Sequence, residues 1–200
     1  MEILIFFTLA VGVIVLKNRE QHKRIALLGS VLSRFEIEKL METLMDGYLR
    51  ALGEDRPERQ AQVWDHLNAQ EEKLCAQFQQ FADAFAQVWA DNALISQLPI
   101  AVPWAHKLFP RQTFDARKAF KLHAQALDDA MHPAQPQDPK DRAFIITAEL
   151  MLMQHTCHWF CRSHAVASAR LLKQHKTAYT SVLAAVQPAT RRAYQSLTGR

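Results

Sequence analysis

Three histidines and two cysteines lie within one ten-residue stretch of the C-terminal half. They are His155, Cys157, His158, Cys161 and His164. At 100° per residue, Cys157, Cys161 and His164 share one face of a helix, within a stripe about 60° wide. Two thiolates and an imidazole on one face can bind zinc, copper or iron. A metal or haem site, with these three residues as candidate ligands, is therefore one interpretation of the stretch.

The same stripe also fits a helix core, and this is the interpretation we favour. It continues along the helix through apolar residues, namely Ile146, Leu150, Met153 and Leu171. Structural zinc sites usually take ligands from loops or from two elements. A further ligand would have to come from another predicted helix, from Cys75 or His123. Cys-x-x-Cys-His is absent, which excludes covalent attachment of c-type haem. Zinc or haem stays the alternative.

Two other groups of ionisable residues carry weaker signals. Asp129 and His132 have i, i+3 spacing at a helix end, but the chain lacks the Glu-x-x-His pattern of di-iron helices. Glu149 and Arg162 lie roughly 20 Å apart along one predicted helix, so each needs a partner on another element. The Gly-x-Gly-x-x-Gly, Walker A, His-Glu-x-x-His and Gly-x-Ser-x-Gly motifs are absent. The sequence therefore favours a non-enzymatic role and identifies no small-molecule substrate.

A long apolar helix over residues 138–176 is expected to position the His/Cys stretch. Asp138 is suited to cap it, with Pro139 at its first position. Between residues 143 and 172 the only fixed charges are those of Glu149, Arg162 and Arg170. A helix that is apolar on nearly every side is usually buried, so we expect this helix at the centre of the fold.

Shorter helices surround it. Apolar residues at spacings of three and four predict helices over residues 25–52, 57–91 and 113–131. The tail predicts two short helices, over residues 179–186 and 188–199. No Asn-Gly or Asp-Gly turn joins alternating apolar runs, so no hairpin is predicted. These features predict an all-α fold.

Residues 92–110 interrupt the helical pattern with three prolines in an apolar stretch. Such a connection either packs on the helices or forms a contact surface. Trp104 and Phe109 are its candidate contacts with a partner protein. Arg191 and Arg192 are further candidates, because they make the last helix basic on its exposed side.

The N-terminus begins with fourteen uncharged residues, from Ile3 to Leu16, followed at once by a basic cluster. The run does not fit a cleaved signal peptide, because Glu2 precedes it and no small-x-small site follows. As a helix it rises about 21 Å, against a hydrocarbon core of about 30 Å, but long basic side chains can snorkel to the headgroups. The sequence thus predicts a membrane anchor; burial against a partner subunit or within the core are the alternatives.

The predicted lipid contacts are Ile3, Phe6, Phe7, Leu16, Lys17, Arg19, Lys23 and Arg24. Because the basic cluster follows the apolar run, the positive-inside rule places the N-terminus outside and the bulk of the chain in the cytoplasm. Three cysteines without a pair placed for a disulfide fit that reducing compartment.

Charge is unevenly distributed along the chain. The net charge of +4 combines −7 over residues 36–91 with +7 over residues 150–200. These regions either attract each other within the fold or face partners, the basic one facing anionic lipid or an acidic protein. No nucleic-acid-binding motif accompanies the charge, so nucleic acid is not an expected partner.

We therefore predict an anchor over residues 1–24 and an all-α cytoplasmic domain of about five to seven helices over residues 25–200. The leading hypothesis is an accessory or scaffold subunit of a bacterial inner membrane that binds other proteins. The alternative is a metal- or haem-binding sensor or enzyme that uses the cluster 155–164. A third hypothesis is a protein whose basic tail senses anionic lipid.

Overall fold

The protein is mostly helical, as the sequence predicts. The computed structural model describes the backbone of residues 1–200 and the side chains of all of them except residues 2–5. Across these residues the helices are α1 (Glu2–Leu32), α2 (Ile37–Leu52), α3 (Pro57–Ala86), α4 (Ala90–Ala93), α5 (Ala105–Leu108), α6 (Ala116–Met131), α7 (Pro139–Cys161), α8 (His164–His175), α9 (Tyr179–Ala185) and α10 (Pro188–Thr198). Strands β1 (Leu94–Ser96) and β2 (Thr113–Asp115) form an antiparallel pair. The all-α prediction is confirmed, and helix α1 runs unbroken through residue 24, the predicted end of the anchor.

Helix α7 lies at the centre and packs against α1, α2, α6, α8 and α9. Its apolar residues meet an aromatic cluster from α3 and α6. The ring of Phe85 lies 4.8 Å from that of Phe120 and 5.6 Å from that of Phe160, both edge to face. Phe81 stands 5.1 Å from Phe120 on the same side. Edge-to-face pairs add to the free energy of burial, so this cluster joins α3, α6 and α7 into one core.

The predicted central helix is divided in two at Arg162 and Ser163. Helix α7 ends at Cys161, and α8 begins at His164 with the Ser163 hydroxyl accepting from the Val166 N–H at 3.4 Å. A serine that caps a new helix gives the backbone an alternative to continuing the old one. The Arg162 guanidinium donates to Gln21 Oε1 at 2.5 Å on α1, and this contact fixes the break against the bundle.

Residues 94–115 contain the short sheet, for which the sequence carries no hairpin signal. Ile95 pairs with Phe114, and both side chains are buried. The helix expected from Thr113 therefore begins at Ala116, where the Asp115 carboxylate accepts from the Arg117 N–H at 2.9 Å. The strands close the core beside Trp159, whose indole N–H donates to the carbonyl of Ser96 at 2.9 Å.

Buried polar groups tie the C-terminal helices to α7. The Thr156 hydroxyl lies 2.8 Å from His123 Nε2 and 2.9 Å from the Tyr194 hydroxyl, which joins α6, α7 and α10. The Glu149 carboxylate accepts from the backbone N–H of Gln187 at 3.0 Å. Glu149 thus finds its partner on another element, as its place on an apolar helix predicts.

Candidate functional site

The N-terminal half of α1 carries exposed apolar side chains. From Phe6 to Val15 every large apolar side chain is at least 43% exposed, and Phe6 reaches 73%. Farther along the same helix, Leu28 and Val31 are buried against the bundle. A contiguous exposed apolar surface of this kind usually marks an interaction site. Ile3, also predicted to contact lipid, lies outside the residues whose side chains are described.

The basic cluster that follows divides between solvent and the fold. Arg19 and Lys23 are exposed, and Leu16 and Lys17 are half-buried. The Arg24 side chain is only 16% exposed and pairs with Glu20 at 3.3 Å. Its guanidinium also donates to the carbonyl of Leu94 at 2.9 Å. Arg24, predicted to contact lipid, therefore faces the bundle instead.

Among the residues with described side chains, no helix combines the length and the apolar character that a membrane span requires.

The proline-rich connection is fastened to α1 through Glu20. The Glu20 carboxylate accepts a hydrogen bond from the backbone N–H of Trp104 at 2.8 Å and lies 3.8 Å from His106 Nδ1. The side chains of Trp104 and Phe109 are nevertheless exposed. On α10, Arg192 is exposed and Arg191 is half-buried. Contact of these four residues with a partner stays a prediction.

A groove of about 780 Å³ opens between α1, α2, α7 and α8, and we call it the helix groove. Its floor includes three methionines and two cysteines, Met41, Met45, Met153, Cys157 and Cys161. Helix α2 presents two parallel stripes at i, i+4 spacing along one side. One is apolar, with Ile37, Met41 and Met45; the other is acidic, with Glu38, Glu42 and Asp46. The α2 side of the groove therefore has an apolar floor and an acidic rim.

The opposite rim is basic and is formed by the end of α7 and by α8. It carries Arg162, Arg170, His158 and His175. Arg170 Nη1 lies 3.2 Å from His158 Nδ1. Burial, followed by the charge of Arg170, lowers the pKa of His158, which keeps this imidazole neutral near pH 7. The two arginines thus supply the positive charge of this rim.

The structure separates the three predicted metal ligands. Cys157 and Cys161 line the helix groove, whereas His164 follows the break after α7 and lies among aromatic rings. Its ring is 4.6 Å from that of Trp159 and 5.1 Å from that of His155. The shared stripe required one continuous helix, which ends at Cys161. Metal binding itself stays a prediction.

Both cysteines are protonated thiols near pH 7. Burial raises the pKa of Cys157 well above its ordinary value, and it raises the pKa of Cys161 to about 11. A metal ion would displace both protons on binding, because the bound ligand is a thiolate. Within the described part of the chain, no group of three or more His, Cys, Asp or Glu is arranged to hold a metal ion.

Sequence reasoning missed the helix groove as a site. The parallel stripes over residues 37–46 were visible in the sequence as amphipathic spacing. The groove beside them was not visible, because it depends on how α1, α2, α7 and α8 pack together.

No protein-family model matches this chain, and comparisons with curated proteins and with solved structures find no significant match.

Proposed function

We propose that this protein is an accessory or scaffold subunit attached to the bacterial inner membrane by the apolar half of α1. The observation that supports this most is the exposure of every large apolar side chain from Phe6 to Val15 on a helix whose other half is packed into the fold. In water these side chains are costly, and lipid removes that cost without any further contact.

The residues that follow the apolar half suit a membrane surface. Arg19 and Lys23 are exposed, and cations next to an inserted helix are attracted to anionic headgroups. Because they follow the apolar run, we expect the folded body on the cytoplasmic side. The segment is shorter than the hydrocarbon core is thick, so this proposal includes snorkelling or local thinning of the bilayer.

The body of the protein supports the second half of the proposal, binding to other proteins. It carries an open groove with charged rims and exposed aromatic side chains at Trp104 and Phe109. Both are features of surfaces that bind proteins. No catalytic step is part of this proposal.

The double substitution Phe6→Asp/Phe7→Asp is expected to abolish flotation of the full chain with anionic phospholipid vesicles. Each phenylalanine contributes about 1.5–3 kcal/mol when it leaves water, so loss of both weakens partition by about 100-fold or more. The measurement is vesicle flotation in a density gradient.

The matched control is Leu49→Asp/Phe144→Asp, which places the same charges at exposed apolar sites of the body, 71% and 64% exposed. This control should float like the unaltered chain. If the unaltered chain stays at the bottom of the gradient, or if both variants lose flotation equally, the attachment proposal is wrong.

A further inference from the structure

The two rims of the helix groove carry opposite charge on either side of an apolar floor. We infer that this groove binds one amphipathic helix of a partner protein, with Lys or Arg on the flank facing α2 and carboxylates on the flank facing α8. The inference specifies the kind of partner for the proposed protein-binding function. It rests on the proposed function only for the location of that partner at a membrane.

The acidic rim is not neutralised by the fold. Within the described residues, no salt bridge reaches Glu38, Glu42 or Asp46. Like charges at i, i+4 positions repel each other, so a row of cations laid beside them relieves that repulsion. A partner flank that carries Lys or Arg supplies such a row at the same helical spacing.

The basic rim is suited to bind negatively charged side chains. The Arg162 guanidinium is held by Gln21, a neutral amide, and the Arg170 guanidinium by an imidazole. Neither arginine has a carboxylate within salt-bridge distance among the described side chains. Both therefore keep the capacity to bind carboxylates of a partner.

The floor suits an apolar helix face. Methionine side chains adapt their shape to different apolar partners. Met45 is half-buried at the groove, and Met41 on α2 and Met153 on α7 line it as buried residues. An amphipathic helix laid in an apolar groove is a recurring mode of recognition, with anchors at i, i+3, i+4 and i+7. Opposite rim charges then fix which way the helix runs.

The groove begins close to the proposed membrane surface. Ile25 lines it and follows Lys17 by eight residues, which is about 12 Å along α1. A partner helix bound here would lie close to the headgroups. A juxtamembrane segment of another membrane protein has the required chemistry and position.

Three synthetic helical peptides test the inference against the full chain in phosphatidylcholine nanodiscs, with empty nanodiscs subtracted. All have the same leucine stripe; one has Lys on one flank and Glu on the other, one has Lys on both and one has Glu on both. The mixed peptide is expected to bind about tenfold more tightly than the other two, because each of those meets one rim of like charge in either orientation. Binding is measured by fluorescence anisotropy.

Charge reversal of the acidic rim sharpens the test. With Glu38→Lys/Glu42→Lys, the peptide with Glu on both flanks should become the tightest ligand. The matched control Glu58→Lys/Asp65→Lys makes the same charge change on exposed sites of α3 and should leave the order unchanged. Should the rim variant not fold, Arg170→Glu tests the other rim and should favour the peptide with Lys on both flanks.

Photo-cross-linking reports where the peptide lies. A mixed peptide with a diazirine residue in its leucine stripe should cross-link to residues of α2, α7 and α8 that line the groove. Equal binding of all three peptides, no binding, or cross-links confined to surfaces outside the groove would overturn the inference. The same titration runs in buffer if the chain does not enter nanodiscs, so a failure of membrane attachment stays distinct from a failure of the groove.

Discussion

Acidification from about pH 7 to about pH 5 is expected to lower the free energy of unfolding by about 3 kcal/mol. The cause is three histidines held neutral by the fold. Burial lowers the pKa of His123 and of His155 to about 3, and it lowers that of His164 to about 4. Within the described part of the chain, the Nδ1 atoms of His123 and His155 have no hydrogen-bond partner. A second proton on either ring would therefore find no hydrogen-bond acceptor among the described residues.

The direction follows from where each state takes up protons. In the unfolded chain these imidazoles titrate near pH 6.5, so the unfolded state binds protons below that pH. In the folded state the same imidazoles stay neutral until the pH falls to about 3 to 4. Each histidine thereby costs about 2 kcal/mol of stability between pH 7 and pH 5. The loss begins near pH 6.5 and grows as the pH falls.

Two buried carboxyl groups act in the opposite direction. Burial raises the pKa of Glu149 to about 7 and also raises the pKa of Glu71. A raised folded pKa gives stability that is present at low pH and lost as pH rises through that value. Protonation of Glu149 between pH 7 and pH 5 therefore returns about 2 kcal/mol and offsets one histidine.

Urea titrations of the full chain at a series of pH values measure this profile. His155→Gln should reduce the acid loss by about 2 kcal/mol, because one titrating group is removed. Glu149→Gln should enlarge the loss of stability on acidification, because the carboxyl group that offsets one histidine is removed. Stability that stays constant or rises between pH 7 and pH 5 would contradict the assignment of these histidines as buried and neutral.

Phe85→Ala is expected to lower the free energy of unfolding by about 3–5 kcal/mol. Phe85 is fully buried on α3, and its ring meets the rings of Phe81, Phe120 and Phe160. Truncation leaves a cavity where three helices join, and rings on separate helices cannot collapse into it. Urea denaturation near pH 7 gives the change directly.

Phe144→Ala is the matched control for this substitution. Phe144 is on α7 but 64% exposed, so its loss should change stability by less than about 0.5 kcal/mol. A similar small effect at Phe85 would show that the aromatic cluster is not the core that joins α3, α6 and α7.

The sequence predicted those parts of the fold that depend on local patterning. Asp138 caps α7 and Pro139 begins it, as predicted, and the accepting carboxylate lies 2.8 Å from the Lys140 N–H. The apolar character of residues 143–161 correctly indicated a central helix. What failed was the continuation to Lys176, because a single capping serine outweighed a helical pattern that ran through it.

Long-range contacts decided what the sequence could not show. Arg24 belongs by spacing to the basic cluster, yet its guanidinium lies over the ring of Phe160, 5.4 Å from the centroid. The β1–β2 pair is also invisible to patterning, because its strands are three residues each and sixteen residues lie between Ser96 and its partner Thr113. Cys157, Cys161 and His164 do not share one helical face, because the helix that would carry all three ends at Cys161.

We propose that the apolar half of α1 holds the protein in a membrane. The test is alkaline carbonate washing of membranes from cells that produce the full chain, with Phe6→Asp/Phe7→Asp washed in parallel. The unaltered chain should stay in the membrane pellet until detergent is added, and the variant should be released. Release of the unaltered chain by carbonate alone would show that α1 does not hold it in the membrane.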